Sequence, residues 1–210
     1  MERVLIVAKT HMNIGACVGG LLMNTDRHIR LLTPDRTKQP EETPYDVGQL
    51  WDIEFRLTGV DRPHIENVVV TREQFYGMQP DLRETLLRRV QPWRGMPWRL
   101  FDGMLRTEEK SCYIARAGRL PRCSVGYWLP DEPLTLIYQR DKPYYQLEYA
   151  PRSVGRNWCA GVLYIRYVGF AEPLPCIPAH TLLRVSLARW WKPEWAPDER
   201  CYLQLSGWYI

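Results

Sequence analysis

Basic and aromatic side chains stand next to one another at two places in the sequence, Arg156–Trp158 and Arg189–Lys192. Proteins that hold single-stranded nucleic acid combine cations, which contact the phosphates, with aromatic rings on which the bases stack. The adjacent Arg, Lys and Trp residues therefore predict a nucleic-acid interface at these two segments. Each Trp could instead be packed in a core or a hairpin, and that alternative stays open for every indole in the chain.

Further candidates lie on predicted strands and loops outside these two segments. The full set of candidate nucleic-acid-binding residues is Lys9, His11, Arg30, Trp51, Arg94, Trp98, Arg156, Trp158, Arg189, Trp190, Trp191 and Lys192. Lys9 and His11 follow the apolar run Val4–Ala8, whose length and β-branched residues predict a strand buried on both faces. We expect a polar rim at the exit of this strand, and a solvated turn is the alternative.

Arginine supplies most of the positive charge. The 210 residues include 28 Lys and Arg against 24 Asp and Glu, which gives a formal net charge of +4, and 23 of the 28 cations are Arg. So small an excess does not by itself indicate nucleic acid. The planar guanidinium does suit phosphates and base stacking, although a GC-rich coding bias would produce the same preference.

The sequence lacks the motifs of the common enzyme classes. Gly15–Gly20 lacks the lysine and hydroxyl of a P-loop, and no GxSxG or HExxH motif occurs. The six Cys form no CxxC pair, and the carboxylates form no cluster that would hold metal ions. We therefore expect no catalytic residues, no metal and no cofactor, with an enzyme built from distant residues left as a third hypothesis. His64 and His180 lie beside prolines and are predicted to be surface residues.

The order of patterns along the chain predicts strands in both halves. Strands are predicted near 17–23, 28–32, 47–57, 65–70 and 111–115, and again at 122–128, 134–139, 144–149, 161–168, 182–190 and 201–209. Thr71 and Gln74 fit a capping box, which predicts a short helix to about Met78. A second helix is predicted from Pro80 to about Val90. Glycines 15, 19 and 20 predict a sharp bend or a close backbone approach.

Three stretches resemble the dual OB-containing domain family of prokaryotes. They are VLIVAKTHM with GACVGGL (Arg3–Leu22), VGQLWDIEF (Val47–Phe55), and LARWWKP with ERCYLQLSGWY near the C-terminus. The resemblance implies two OB folds in tandem, an association with conflict and defence systems, and a nucleic-acid-binding or sensing role rather than catalysis.

Residues and resemblance together give one set of expectations. The fold is predicted to be mainly β, with two small OB-like barrels in tandem joined by a short helical connection. Residues 1–115 are predicted as an N-terminal OB-like domain with a helical extension, and 116–210 as a C-terminal OB-like domain. No apolar run approaches the length of a membrane span and no signal peptide precedes the first strand, so we expect a cytoplasmic protein.

The predicted function is a noncatalytic module for single-stranded DNA or RNA in a prokaryotic defence or mobile-element system. The alternative is a protein-interaction adaptor that recruits or regulates a partner effector such as an ATPase, helicase or nuclease. Trp and Arg also dominate the hot spots of protein interfaces, so composition does not separate the two.

Overall fold

The computed structural model describes residues 1–59, 61–149, 152–154, 157–159 and 161–210. A closed five-strand barrel is followed by a large sheet, and the chain is mainly β. The predicted fold class is confirmed. Within the described ranges, neither helix has the length and apolar content needed to cross a membrane.

Five strands form the first barrel. They are β1 (Glu2–His11), β2 (Ala16–Leu22), β3 (His28–Leu32), β4 (Gln49–Leu57) and β5 (Asn67–Met78). Their order is β1-β2-β3-β5-β4, and the pairing of β1 with β4 closes the barrel. β3 and β5 are parallel, whereas the other neighbours are antiparallel. OB folds are small five-stranded barrels of this kind.

β1 is buried on both faces, as its uninterrupted apolar run predicts. Val4 and Ile6 belong to the core of the first barrel. Leu5 and Val7 belong to a different cluster, which continues into the second half of the chain through Tyr127. Because successive side chains point to opposite faces of a strand, β1 contributes to two cores at once.

Two neighbouring glycines of β2 permit close approaches on opposite faces. A Cβ on Gly20 would lie 2.5 Å from Val4 Cγ1, inside the first barrel. A Cβ on Gly19 would lie 2.7 Å from Nη2 of Arg184, which comes from the second half of the chain. The close backbone approach predicted from these glycines therefore occurs twice.

Short elements connect the first barrel to the second sheet. They are α1 (Leu82–Arg89), β6 (Trp93–Arg94), a 3-10 turn (Pro97–Arg99), α2 (Leu100–Gly103), β7 (Arg106–Glu108) and β8 (Ser111–Ala115). α1 confirms the helix predicted between Pro80 and Val90. Its Leu86 is fully buried in the cluster that contains Leu5 and Val7, so α1 packs where the two halves meet.

The remaining strands follow in close succession. They are β9 (Val125–Leu129), β10 (Leu134–Gln139), β11 (Lys142–Glu148), β12 (Arg152–Val154), β13 (Asn157–Cys159), β14 (Val162–Tyr167), β15 (Cys176–Ile177), β16 (Leu182–Leu187) and β17 (Arg200–Tyr209). The large sheet has the order β15-β10-β11-β14-β17-β16-β9-β6, with β8 on β17 and β7 on β8. β12 and β13 form a separate hairpin.

In the large sheet, β9 and β10 together occupy the position that β1 occupies in the first barrel. β9 pairs with β16, β10 pairs with β11, and only Pro130–Pro133 separates them. Prolines lack the N–H that a ladder requires, so they interrupt the strand. With β9 and β10 counted as one, the order β11-β14-β17-β16 repeats β2-β3-β5-β4, and the parallel pair β14–β17 corresponds to β3–β5.

The short helix predicted from Thr71 to Met78 is wrong. β5 continues through this stretch and pairs with β4, for example Ile53 with Glu73. Thr71 Oγ1 donates to the carbonyl of Glu54 at 3.2 Å rather than capping a helix. A local capping pattern was thus outweighed by the hydrogen bonds of a neighbouring strand.

Two strands that precede residue 116, β6 and β8, pair with strands of the second sheet. β6 pairs with β9 and β8 pairs with β17, so both belong to the second sheet. Leu100, Phe101 and Leu105 lie in the core of that sheet. The two sheets therefore separate between Met78 and Trp93.

Candidate nucleic-acid interface

A cavity lies between the first barrel and the large sheet; we call the strands β9 with β10, β11, β14, β17 and β16 of that sheet the second barrel. We call the cavity the inter-barrel cavity; its polar lining consists of Thr10, Cys17, Arg30, Lys38, His64, Glu66, Arg184, Ser186, Arg189, Gln204 and Ser206. The first barrel contributes β2, β3, Met12 from the β1–β2 loop and His64 from the β4–β5 loop. In OB folds, strands 2 and 3 and the loops 1–2 and 4–5 hold oligonucleotides. The cavity therefore lies on the surface that this fold uses for binding.

Arg184, on β16, reaches this cavity from the second barrel. The residue is 2% exposed, and its Nη1 has no hydrogen-bond partner. Among the described residues, no carboxylate forms an ion pair with it. Its guanidinium carbon lies 5.7 Å from the centroid of the Tyr127 ring. Buried charges are normally paired, so the Nη1 of Arg184 is a buried donor without an acceptor among the described residues.

Arg30 and Glu66 belong to a hydrogen-bond network that links the barrels. Ser124 donates to Glu66 through its backbone N–H at 2.6 Å and through its hydroxyl at 2.8 Å. Arg30 donates to the Ser124 hydroxyl at 3.4 Å and to Asn67 Oδ1 at 3.2 Å. Glu66, the one acid in the cavity lining, is thus already engaged.

His64 is 0% exposed, so its prediction as a surface residue is wrong. Its Nε2 lies 3.0 Å from the carbonyl oxygen of Ala188 and 3.3 Å from that of Leu187, and must donate because carbonyls only accept. Burial, followed by the charges of Arg30 and Arg189, lowers the pKa of His64 to about 4. The imidazole is therefore neutral at physiological pH and adds no charge to the cavity.

A wider depression continues from the cavity along the surface, and we call the two together the inter-barrel groove. Met12, Lys38, Ala188, Arg189 and Gln204 line both parts. The outer part adds Arg166, whose Nε has no hydrogen-bond partner, and a stack of aromatic rings. The rings of His11 and Phe170 lie 3.8 Å apart at 14°. The groove thus combines cations with a flat aromatic surface.

Three of the predicted site residues line this groove: His11, Arg30 and Arg189. Lys9 does not line the groove: its Nζ lies 3.1 Å from Asp46 Oδ1 and 3.4 Å from the carbonyl of Thr43. The same ammonium lies 5.3 Å from the centroid of the Phe170 ring, which belongs to the aromatic stack.

Trp51 is 7% exposed within the core of the first barrel. Its burial argues against a role as a stacking platform, and its Nε1 donates to Gln49 Oε1 at 2.8 Å.

The other predicted residues do not line the groove. Arg94 is exposed on β6, and Trp98 is half-buried with its ring edge-on to Tyr149 at 5.4 Å. Arg156 lies outside the described residues; the backbone of Trp158 is in β13, and its side chain lies outside the described part as well.

Trp190, Trp191 and Lys192 follow β16 on a different surface. Trp190 is half-buried and donates from Nε1 to the carbonyl of Arg62 at 3.2 Å. Trp191 is 58% exposed, and Lys192 is exposed as well. Trp195, a few residues further along the chain, is 66% exposed, so this segment presents two indole rings to solvent.

Sequence reasoning missed Arg184, Arg166, Phe170 and Gln204. The alternation in Leu182–Leu187 did contain a signal, because Arg184 and Ser186 share the polar face of an otherwise apolar strand. The three-dimensional order of strands was needed to show that this polar face meets the first barrel. Among the described residues, no group of three or more His, Cys, Asp or Glu could hold a metal ion.

Comparisons with curated proteins and with solved structures find no match. The family model for the dual OB-containing domain matches residues 2–208, which is nearly the whole chain. This range includes both barrels and every strand that lines the groove. The chain therefore belongs to the dual OB-containing domain family.

Proposed function

We propose that the protein is a noncatalytic module that binds single-stranded DNA or RNA in the inter-barrel groove. The observation that carries this proposal is the continuity of the groove. It leads from exposed Lys38 and Arg189 to the buried and unpaired Arg184. Cations that no carboxylate neutralises attract phosphates, and Arg presents a fork that matches phosphate oxygens.

The aromatic stack favours single strands over duplexes. His11 is exposed and lies flat against Phe170, so one further ring can stack on this pair. Bases of a duplex already stack on one another, whereas unpaired bases gain free energy on an aromatic platform. We also propose that the module operates in the cytoplasm of a prokaryote, within a defence or mobile-element system.

Fluorescence anisotropy with labelled oligo-dT, oligo-U and a matched duplex tests this function. We expect single strands to bind most tightly at low salt. The logarithm of the affinity should fall with the logarithm of salt concentration with a slope of roughly −3, if about four phosphates are contacted. Absence of binding to any single strand at low salt would contradict the proposal.

A pair of double variants localises the site. Arg166→Ala with Arg189→Ala should weaken binding at least tenfold and reduce the salt slope, because two groove cations are lost. Arg94→Ala with Arg140→Ala removes the same charge from exposed positions outside the groove lining and is the matched control. Equal losses in both variants would show that only net charge matters.

A second candidate function, an adaptor for a partner effector, rests on the exposed indoles. Trp191 and Trp195 are 58% and 66% exposed and line neither part of the groove. Exposed Trp residues are typical of protein hot spots. If this surface recruits an ATPase, helicase or nuclease, Trp191→Ala with Trp195→Ala should abolish co-purification of that partner and leave oligonucleotide affinity unchanged. An unchanged co-purification would exclude this surface.

A further inference from the structure

We propose that the inter-barrel cavity is a binding site for one phosphate group, with Arg184 as its principal ligand. Arg184 is nine-tenths or more buried, lines the cavity and has an Nη1 donor without a partner. An unpaired buried cation is costly to maintain, and removal of such charges often leaves a protein as stable or more stable. A bound anion would supply the missing acceptor.

Gly19 holds a place for the guanidinium. A Cβ at this position would lie 2.7 Å from Arg184 Nη2 and 3.4 Å from Cζ. Gly19 has no positive φ that would require glycine for the backbone. The absence of a side chain at Gly19 therefore leaves the space that the guanidinium of Arg184 occupies against the first barrel.

The charge around the cavity selects an anion of more than one charge. Arg30, Arg184, Lys38 and Arg189 are cations in the lining, against the single acid Glu66. Glu66 already accepts two hydrogen bonds from Ser124, and His64 is neutral. The lining thus has an excess of three positive charges, which fits a phosphate better than a carboxylate.

The other donors and the size of the cavity also fit a phosphate. Ser186 Oγ and Ser206 Oγ lie 2.8 Å apart, so one hydroxyl donates to the other and the second proton is free for a ligand. The cavity volume is about 70 Å³. At the roughly 30 Å³ that a water molecule occupies in the liquid, this is room for about two water molecules, which a single small anion can displace.

Two sources can supply this phosphate. One is inorganic phosphate; the other, which rests on the proposed function, is the terminal phosphate of a strand that lies in the groove. An internal phosphodiester has a nucleoside on either side, and the cavity has room for the phosphate alone. A terminal phosphomonoester, with a single substituent leading out past Arg189, fits this space.

Thermal unfolding in inorganic phosphate tests the site without any oligonucleotide. We expect the Tm of the wild-type protein to rise with phosphate concentration relative to chloride at equal ionic strength, because a ligand of the native state stabilises it. Arg184→Met should abolish this rise and keep the Tm in chloride, because Met fills the space without an unpaired charge. Arg94→Met is the matched control and should retain the rise.

Two further measurements keep the test decisive. If Arg184→Met does not fold, Ser206→Ala removes a hydroxyl instead, and it should weaken the phosphate effect. Line broadening of the phosphorus-31 resonance of inorganic phosphate by the wild-type protein reports binding directly. A Tm that responds equally to phosphate and chloride, together with a phosphorus-31 resonance that the protein does not broaden, would overturn the proposal.

Oligonucleotides of one sequence with 5′-phosphate, 3′-phosphate or hydroxyl ends distinguish the sources. We expect one phosphorylated end to bind at least tenfold more tightly than the hydroxyl end, and Arg184→Met to remove that preference. If no oligonucleotide binds but inorganic phosphate raises the Tm, the proposed function fails and the phosphate site stands. If oligonucleotides bind without any preference for a phosphorylated end and inorganic phosphate has no effect, the phosphate site is rejected and oligonucleotide binding in the groove is retained.

Discussion

Two arginines of the second barrel are almost equally buried but differ in what surrounds them. Arg184 is 2% exposed and Arg200 is 3% exposed, and each guanidinium lies near a tyrosine ring, Tyr127 and Tyr113 respectively. Arg200 forms ion pairs with Glu108 and with Asp198, the latter at 3.6 Å. Arg184 forms no ion pair among the described residues.

Arg200 is neutralised by acids of its own chain and stabilises the fold, whereas Arg184 lacks such acids in the described part of the chain and is the arginine for which we propose a ligand. The ion pair with Glu108 raises the pKa of Arg200, and the ring of Trp195 covers its guanidinium at 4.6 Å. Arg200 is thus neutralised and enclosed by its own chain. At Arg184 the corresponding acceptor is missing, and a cavity takes its place. Burial alone therefore does not identify a structural arginine; the acceptors around it do.

The largest expected effect comes from removing the acids around Arg200. Glu108→Ala with Asp198→Ala leaves a buried cation without a partner, so the free energy of unfolding should fall by about 3 kcal/mol. Urea denaturation at neutral pH measures this change. Glu172→Ala, which removes an exposed acid that lines the outer part of the groove, is the control and should change the value little. A loss no greater than the control's would mean that Arg200 does not need its acids.

An intermediate loss of stability is expected when the pH is lowered, because His64 in the cavity lining is buried. Burial lowers the pKa of His64 to about 4 from 6.5, so the unfolded state takes up the proton first as pH falls. The contribution of neutral His64 to the free energy of unfolding is therefore fully present above pH 6.5 and decreases as the pH falls toward 4. Between pH 7 and pH 4.5 the free energy of unfolding should fall by about 2 kcal/mol because of His64.

His64→Gln should remove most of this pH dependence, because glutamine does not titrate. Burial, followed by the charge of Arg184, also lowers the pKa of His28 to about 3, so some acid sensitivity should remain. Urea denaturation of both proteins at the two pH values gives the comparison. An identical pH dependence in wild type and variant would exclude His64 as the group that titrates.

The smallest expected effect on stability is that of Gly19→Ala, and its comparison with Gly20→Ala distinguishes the two faces of β2. Gly20→Ala places a Cβ 2.5 Å from Val4 Cγ1 in a packed core and should cost about 1–3 kcal/mol. Gly19→Ala meets only the far end of Arg184, which can move, so its cost should stay below about 1 kcal/mol while phosphate affinity falls. Denaturation and phosphate titration of both variants test this. A Gly19→Ala protein with unchanged phosphate affinity would separate Gly19 from the site.

Local patterns predicted much of the fold. The continuous apolar run of β1 and the helical spacing of α1 depend on near neighbours in sequence, and both predictions agree with the structure. The stretch Thr71–Met78 failed because pairing with β4, about twenty residues away, decided its conformation. Sequence alone does not rank a local cap against a distant strand.

The site was harder to predict because it forms only where two barrels meet. Residue type alone predicted three residues that line the groove, Arg30, Arg189 and His11. Trp51 was a poor candidate because an indole on an alternating strand can face inward as well as outward, and it faces inward here. Arg184 was not predicted as a site residue, because only the strand order in three dimensions brings the polar face of β16 against Gly19.

The burial of β1 on both faces has a consequence for any attempt to separate the two halves of the chain. Leu5, Val7 and Leu21 are covered by Tyr127, Leu129 and Leu182 of the other barrel. A recombination event that separated the halves would strip this cover and expose an aliphatic stripe, which is prone to aggregation. Each barrel expressed alone should therefore be less soluble than the intact chain.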